Sequence, residues 1–267
     1  MRPDVLDLQA FYASRQGQLV RRLVGRQIRR LWPKVCGARV LGIGYATPFL
    51  GPLLDDAERV CVLMPSGQGV APWPAGAANV TALASEDELP LADRSVDRVL
   101  MVHALESSEQ GGRLLREVWR VLADGGQALI IVPNRRGLWC LSESTPFGYG
   151  QPFSAAQLKG VLRNTLFVPR ESATALFVPP LRSRVVLRTA LAWERVGLRW
   201  AQHFAGVLLM AAEKQIYATP LEPAVTKRRR RAYVPVPRAL AAAERIQVEA
   251  KRRSAPRVDS AETAPAR

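Results

Sequence analysis

Short β-rich runs alternate with amphipathic helical segments along the middle of this chain, and this alternation restricts the fold more than any other feature. Runs at 96–103 and 128–132 flank a helical segment at 106–122. The apolar residues of that segment share one stripe: Leu115, Val118, Trp119 and Leu122. Because strands joined by helical crossovers lie parallel, with helices on both faces, the pattern predicts a doubly wound α/β sheet.

The same alternation continues toward both ends of the chain. We expect the helix at 106–122 to stop at 124–126 (Asp-Gly-Gly), where a left-handed residue can end it, and a later helix to begin near Ser154, a good N-cap residue. The other expected strands are 39–43, 59–63, 167–178 and 206–217, and the other expected helices are two pieces within 5–31 and one at 181–200. We therefore assign one domain to 1–217, whose residues 1–34 form an N-terminal helical segment.

Several protein classes are disfavoured by composition. No run of 18 apolar residues occurs, and the first residues lack the pattern of a signal peptide, so we expect a cytoplasmic protein with no transmembrane segment. Because the chain has three widely spaced cysteines and only two histidines, we expect neither a disulfide framework nor a zinc site.

The formal net charge of +15 is concentrated at the two ends. Residues 1–34 hold eight Lys or Arg against two Asp, and residues 218–267 hold twelve against five acidic residues. The N-terminal helix has three interpretations: a solvated arginine face, a nucleic-acid contact or a membrane-surface contact. The region 218–267, rich in Pro, Ala and Arg, is expected to be a disordered basic tail.

Three motifs in order resemble a known family. VLGIGYATP at 40–48 is a strand and glycine turn, ELPLADRSVDRVLMVHALE covers 88–106, and LLREVWRVLADGGQALIIVPNRRGLW covers 114–139. Together they resemble the class I S-adenosylmethionine (SAM)-dependent methyltransferases of the type 11 group. The resemblance implies a Rossmann-like, mostly parallel seven-stranded sheet with two antiparallel strands at its end, and SAM as the cofactor.

The resemblance also implies where SAM lies. In the family, the first strand ends in an acidic residue that is followed by three alternating glycines, and those four places are Gly42, Gly44, Ala46 and Pro48 here. The backbone approaches the amino acid part of SAM there, so the implied turn residues are Gly42, Gly44, Tyr45, Ala46 and Thr47. A tight strand-to-helix turn that binds no ligand is the alternative.

Two acidic positions of the family are altered. In the family, an acidic residue after the second strand accepts hydrogen bonds from both ribose hydroxyls, and Met64 occupies that position here. Ser66 and Gln68, just beyond it, are candidate neutral substitutes. The adenine position is Ser85, with Glu86 one residue out of register. A charge-assisted hydrogen bond contributes about 1.5–3 kcal/mol, so we expect weak SAM binding.

Methyl transfer often needs a base that takes a proton from the acceptor, and a candidate lies at the carboxyl end of the family's fourth strand, expected here at 96–103. His103 lies there and is a candidate catalytic base, a residue lining the cofactor, or a structural histidine. Past the next strand, Arg135, Arg136 and Trp139 are a candidate substrate lip.

Three functions follow from these residues. The first is a SAM-dependent methyltransferase acting on a small-molecule acceptor. The second is a catalytically inactive methyltransferase fold that binds or regulates a partner. The third is an RNA-directed enzyme or RNA-binding module that uses the basic ends, and the fold alone does not name a reaction.

Overall fold

A seven-stranded sheet organises the chain, and the computed structural model describes residues 3–181, 183–200 and 202–215. Its strand order is β3-β2-β1-β4-β5-β7-β6, with β7 antiparallel to both of its neighbours and the other pairs parallel. The strands are β1 Arg39–Gly44, β2 Arg59–Pro65, β3 Thr81–Ala84, β4 Val96–Val102, β5 Leu122–Pro133, β6 Phe167–Ala175 and β7 Val207–Lys214. The predicted doubly wound seven-stranded fold is confirmed.

Helices cover both faces of this sheet. They are α1 Val5–Ala13, α2 Arg15–Leu31, α3 Thr47–Leu50, α4 Gly111–Val121, α5 Ala155–Asn164, α6 Arg184–Arg188 and α7 Ala190–Trp200. Strand side chains alternate between the two faces: Val40 and Val62 pack with α1 and α2, whereas Leu41 and Leu63 pack with α4 and α5. This alternation follows from the two-residue period of a strand, and it gives two apolar layers.

One predicted boundary is wrong. The helix of the 106–122 segment ends at Val121, not at 124–126, because β5 already begins at Leu122. Gly125 does have a left-handed φ of +71°, but it lies inside β5, where the pairing with β4 shifts register. Gly125 therefore forms part of a β-bulge and does not cap the helix.

The joined helices α1 and α2 confirm the predicted pair of N-terminal pieces. Ser14 separates them: its amide donates to the carbonyl oxygen of Phe11, and its hydroxyl accepts from the amide of Gly17. One residue thus ends the first helix and caps the second. Gly17 also lies against the backbone of Phe11 and Tyr12, so a side chain there would force the two helices apart.

Some predictions concern residues outside this description. The expected tail at 218–267 and the domain boundary at 217 both fall there. Among the described helices, none is long and apolar enough to cross a membrane.

The start of α5 provides a test of local folding. Ser154 and Gln157 form a capping box, with each side chain accepting from the other residue's amide. We expect Ser154→Ala to lower the free energy of unfolding by about 1 kcal/mol in urea titration, because the amide of Gln157 loses the hydroxyl that accepts its hydrogen bond. Ser144→Ala, in an exposed loop, is the matched control and should change it by less than about 0.5 kcal/mol. Equal effects would contradict the capping role.

Candidate cofactor and active site

The turn after β1 is packed closely against the end of β4. Gly44 has a φ of +75°, and the space beside its Cα is taken by the carbonyl oxygen of Val102 and by Ala104. The amide of Tyr45 donates to the same carbonyl oxygen at 2.8 Å. Gly44 thus permits a close approach between two backbone segments, which a larger residue would prevent.

Helix α1 lies across this turn. The ring of Tyr12 stacks on that of Tyr45, with centroids 5.6 Å apart, and meets Phe49 edge-on at 5.8 Å. At the other end of the helix, the amide of Val5 donates to the carbonyl oxygen of Gln68, after β2, at 2.8 Å. Tyr12 and Tyr45 are only 7% and 6% exposed, so protein side chains fill the space beside the turn.

The ring of His103, directly after β4, contacts two polar groups. Its Nε2 lies 2.9 Å from the hydroxyl of Tyr12, and its Nδ1 lies 3.3 Å from Oε1 of Glu106. The second contact has the distance of an ion pair but not the alignment of a hydrogen bond. Burial, and then the charge of Glu106, raise the pKa of Tyr12 well above its ordinary value. In a neutral imidazole the phenol therefore donates to Nε2, and the proton on Nδ1 faces the carboxylate.

The backbone of His103 is strained. Its φ is +52°, a left-handed value that is uncommon for a residue with a side chain, and the residue is 1% exposed. Phe147 packs on the ring with centroids 4.8 Å apart, and the side-chain amide of Gln68 donates to the carbonyl oxygen of His103 at 3.4 Å. Such a conformation persists only where its surroundings hold it, and it is often found at functional sites.

Several buried polar atoms near this histidine lack a hydrogen-bond partner among the described residues. They are both carboxylate oxygens of Glu106, Oε1 of Gln68 and the hydroxyl oxygen of Ser108. Leaving such groups unpaired costs about 1–3 kcal/mol each, and more for a charge. Their concentration at the carboxyl ends of β2 and β4 is typical of a place where a polar ligand or water binds.

An open cavity of about 540 Å³ lies at the ends of β2, β3 and β4. Its wall includes residues from the loops after all three strands: Ser66, Ser85, Glu86, Asp87, Glu106 and Gln110. This is the rim where parallel sheets bind ligands, and the volume is in the range of small-molecule sites. We call it the rim cavity.

A second cavity, of about 600 Å³, lies between the N-terminal helices and the segment after β5. Its wall carries both charges and aromatic rings, including Asp7, Phe11, Arg15, Glu143 and Tyr149. We call it the outer cavity. A series of contacts joins the two cavities, because Phe11 meets Phe147, Phe147 meets His103, and His103 meets Glu106.

The residues expected to hold SAM divide into two groups. Ser66, Ser85 and Glu86 share the rim cavity. The second group is buried beneath or beside α1, and it comprises Gly42, Gly44, Tyr45, Ala46, Thr47, Met64, Gln68 and His103. Met64 is fully buried in the core, so an acidic residue could not simply be restored there without burying its charge.

The expected substrate lip is only partly at the surface. Arg135 and Arg136 are exposed, and the guanidinium of Arg135 donates to the carbonyl oxygen of Pro152 at 3.3 Å. Trp139 is 1% exposed, and its indole N–H donates to the carbonyl oxygen of Val178 at 2.7 Å. The indole therefore supports the lip from inside and offers no free face to a substrate.

Two residues of the site were not singled out by their sequence pattern. Tyr12 is one apolar position of a short helix, and nothing local indicates that it reaches a histidine 91 residues away. Glu106 stands next to Leu105 in a segment expected to be helical, whereas it lies in a short 3-10 turn that directs its carboxylate inward. The one signal in the sequence is that Glu106 lies three residues after His103, a spacing that can bring two side chains together in a helical turn.

Comparison with known proteins shows what part of this domain is similar to. Residues 28–130 match the family model described as a methyltransferase domain. This part of the chain is therefore similar to a methyltransferase domain, and the order of the strands agrees with that similarity. Over 137 residues the chain is 31% identical to the ubiquinone/menaquinone biosynthesis C-methyltransferase UbiE of Rubrivivax gelatinosus, covering 50% of this chain and 51% of that protein. The match thus spans about half the length of that relative.

Solved structures share the fold at lower identity. A Haloferax volcanii methyltransferase, solved with the Trm112 methyltransferase activator, has a TM-score of 0.59 and 19% identity, covering 80% of this chain and 100% of that one. A SAM-dependent methyltransferase from Thermotoga maritima has a TM-score of 0.56 and 17% identity, covering 79% and 96%. These similarities establish the fold.

The contact between Tyr12 and His103 can be tested directly. We expect Tyr12→Phe to lower the free energy of unfolding by about 1–3 kcal/mol, because a buried ring nitrogen of His103 loses its partner. Tyr149→Phe, a change of the same kind at a half-buried position, is the control. Urea unfolding followed by circular dichroism measures both, and indistinguishable variants would show that the buried hydrogen bond is not formed in solution.

Proposed function

We propose that this protein is a SAM-dependent methyltransferase acting on a small-molecule acceptor. The observation that supports it best is the placement of the rim cavity, at the end of the strands that hold the cofactor in proteins of this fold, with unpaired buried polar atoms in its wall. SAM supplies an electrophilic methyl group, so the protein's own work is to position an acceptor and remove its proton.

The rim cavity fits the nucleoside half of SAM. Its wall offers hydroxyls from Ser66 and Ser85 and carboxylates from Glu86 and Glu106, which are suitable partners for ribose hydroxyls and adenine nitrogens. Glu106 takes the part that an acid after β2 would take in the family, because Met64 cannot accept a hydrogen bond from ribose. We therefore assign the carboxylate of Glu106 to the ribose.

The amino acid half of SAM fits only after a rearrangement. In this conformation Tyr12 fills the space beside the turn after β1 where that half would lie. Helix α1 must therefore move outward when the whole cofactor binds, and the free energy of its contacts is subtracted from the binding free energy. The same movement would expose His103 to the outer cavity.

Once exposed, His103 is placed to act as the base. Its Nδ1 faces the carboxylate of Glu106, which orients the ring for proton removal. Its Nε2, which contacts Tyr12 in the closed form, becomes the atom that accepts the proton. The acceptor would enter from the outer cavity, which has room for a ring system.

The filled turn also favours a second candidate. A methyltransferase fold whose cofactor site is closed permanently by Tyr12 and Tyr45 would bind a partner or a nucleoside without transferring a methyl group. The two candidates differ in whether α1 opens.

Calorimetric binding of a whole cofactor analogue and of its nucleoside half alone distinguishes these two candidates. We compare adenosine, which needs only the rim cavity, with S-adenosylhomocysteine, which needs the space beside the turn as well. Tyr12→Ala should tighten S-adenosylhomocysteine by about tenfold, equivalent to about 1.4 kcal/mol, and leave adenosine within about twofold. Leu23→Ala on α2 removes core packing away from the turn and is the control for general destabilisation.

A second pair of variants tests the rim cavity itself. Glu106→Gln should weaken both ligands by about tenfold, whereas Glu88→Gln, at an exposed acid that does not line the rim cavity, should leave both unchanged. Binding of adenosine alone, in every variant, would support the closed binding domain over the enzyme. If neither ligand binds at millimolar concentration to folded protein, both proposals that use this cavity fail.

A further inference from the structure

The connection between β6 and β7 is far longer than these strands require. Antiparallel neighbours can be joined by a two-residue turn, yet residues 176–206 separate them here, and this segment contains α6 and α7. Its sequence includes five arginines and one acidic residue, Glu194. Part of the segment is buried in the core, including Leu176, Val178 and Ala190, so only its exposed side can serve another purpose.

Helix α7 is fixed to the domain by its one acidic residue and its glycine. The carboxylate of Glu194 is 6% exposed and accepts from the amide of Phe177 at 2.7 Å. Gly197 lies directly on the ring of Phe177, where any added side chain would collide with it. With Ala190, these residues define the inner side of the helix, so the direction of its other side chains is set.

The outer side of α7 carries large apolar side chains. Trp193, Val196 and Trp200 recur at spacings of three and four residues and therefore share one stripe. Their exposed fractions are 46%, 59% and 78%, and Phe204, just beyond the helix, is 65% exposed. An exposed apolar group of this kind marks an interaction site, since isolated exposed residues are ordinary but a continuous stripe is not.

Arginines border this stripe. Arg195 and Arg199 lie one turn apart on the adjoining exposed side of α7, and the guanidinium carbon of Arg199 is 5.7 Å from the centre of the Trp200 ring. On the neighbouring helix α2, all six charged residues are arginines, and each is exposed: Arg15, Arg21, Arg22, Arg26, Arg29 and Arg30. No described carboxylate forms a salt bridge with any of these eight side chains.

The arginine-bearing face of α2 and the 176–206 segment are neighbours. Arg15 and Arg22 line the same shallow depression as Arg188 of α6. Arg26 is close enough to Glu194 to help lower that carboxyl's pKa, although burial dominates and raises it. The apolar stripe and the excess positive charge therefore belong to one side of the domain.

We propose that this side, formed by the exposed residues of α7 and α2, is a docking surface for an anionic lipid bilayer. Tryptophans at the headgroup level, aliphatic side chains just below them and arginines along the border are the arrangement of an interfacial helix. Arginines that form no salt bridge among the described residues complement the negative surface of such a membrane. Nucleic acid would use the arginines but would leave Val196 and Phe204 without a role.

The test is cosedimentation of the full chain with vesicles. Pure phosphatidylcholine is compared with phosphatidylcholine containing roughly one third phosphatidylglycerol, an anionic content sufficient to attract arginines. We expect binding only to the anionic vesicles, with a blue shift of tryptophan fluorescence. Trp193→Ser combined with Trp200→Ser should lower the partition coefficient about tenfold or more, and Arg195→Gln combined with Arg199→Gln should do the same.

Matched controls distinguish the docking surface from exposed apolar and charged residues elsewhere on the domain. Leu83→Ser with Leu166→Ser removes exposed apolar side chains at β3 and at the turn before β6, and Arg113→Gln with Arg116→Gln removes charges on α4, at the opposite face of the sheet. Both should bind as the unaltered chain does. Binding that survives the α7 changes would overturn the proposal.

Two other outcomes would also overturn it, because they assign the stripe to a different occupant. One is a dimer, seen by analytical ultracentrifugation, that dissociates in the Trp193→Ser, Trp200→Ser variant while no vesicle binding occurs. The other is salt-sensitive binding of single-stranded RNA that competes with vesicles and needs the arginines but not the tryptophans.

Discussion

The structure depends on how Tyr12 reaches from the N-terminal helix to the ends of the parallel strands. Its ring lies on Tyr45 in the turn after β1, and its hydroxyl contacts His103 after β4. These two contacts bring α1, the glycine turn and the histidine into one buried cluster. A solvent-exposed rim would be expected for a sheet of this kind, so this cluster is the main way in which the protein departs from its fold class.

The departure has a thermodynamic consequence for ligand binding. The rim cavity is open, whereas the space beside the glycine turn is filled by aromatic side chains. A ligand that needs both must displace α1 first, and the free energy of that displacement weakens its apparent affinity. The carboxylate of Glu106, which accepts no hydrogen bond from the described residues, acts in the opposite direction, because a ligand could donate to it. The balance between these two effects decides whether the closed form is a resting state or a permanent one.

The fold could be predicted from the sequence because its signals are local or repeated. Strand β1 and helix α4 show their periods directly, and Ser154 caps α5 as its residue type indicates. The glycine at 125 misled the prediction because a left-handed residue suits a helix cap and a strand bulge equally, and only the pairing partner β4 distinguishes them. The site was harder, because Tyr12 and Glu106 acquire their roles from contacts with residues distant in sequence or from an inward turn. The resemblance to a family located both the turn after β1 and Ser85. It did not indicate that the turn is buried whereas Ser85 lines an open cavity.

Hydrogen–deuterium exchange with and without S-adenosylhomocysteine tests most directly whether α1 is a displaceable cover. The account predicts two opposite changes on ligand addition: faster exchange in 5–13, because α1 leaves the turn, and slower exchange in 66–68, 85–87 and 106–108, because the rim cavity becomes occupied. Unchanged exchange in 5–13, despite protection of the rim segments, would contradict it and show that the ligand binds without moving Tyr12.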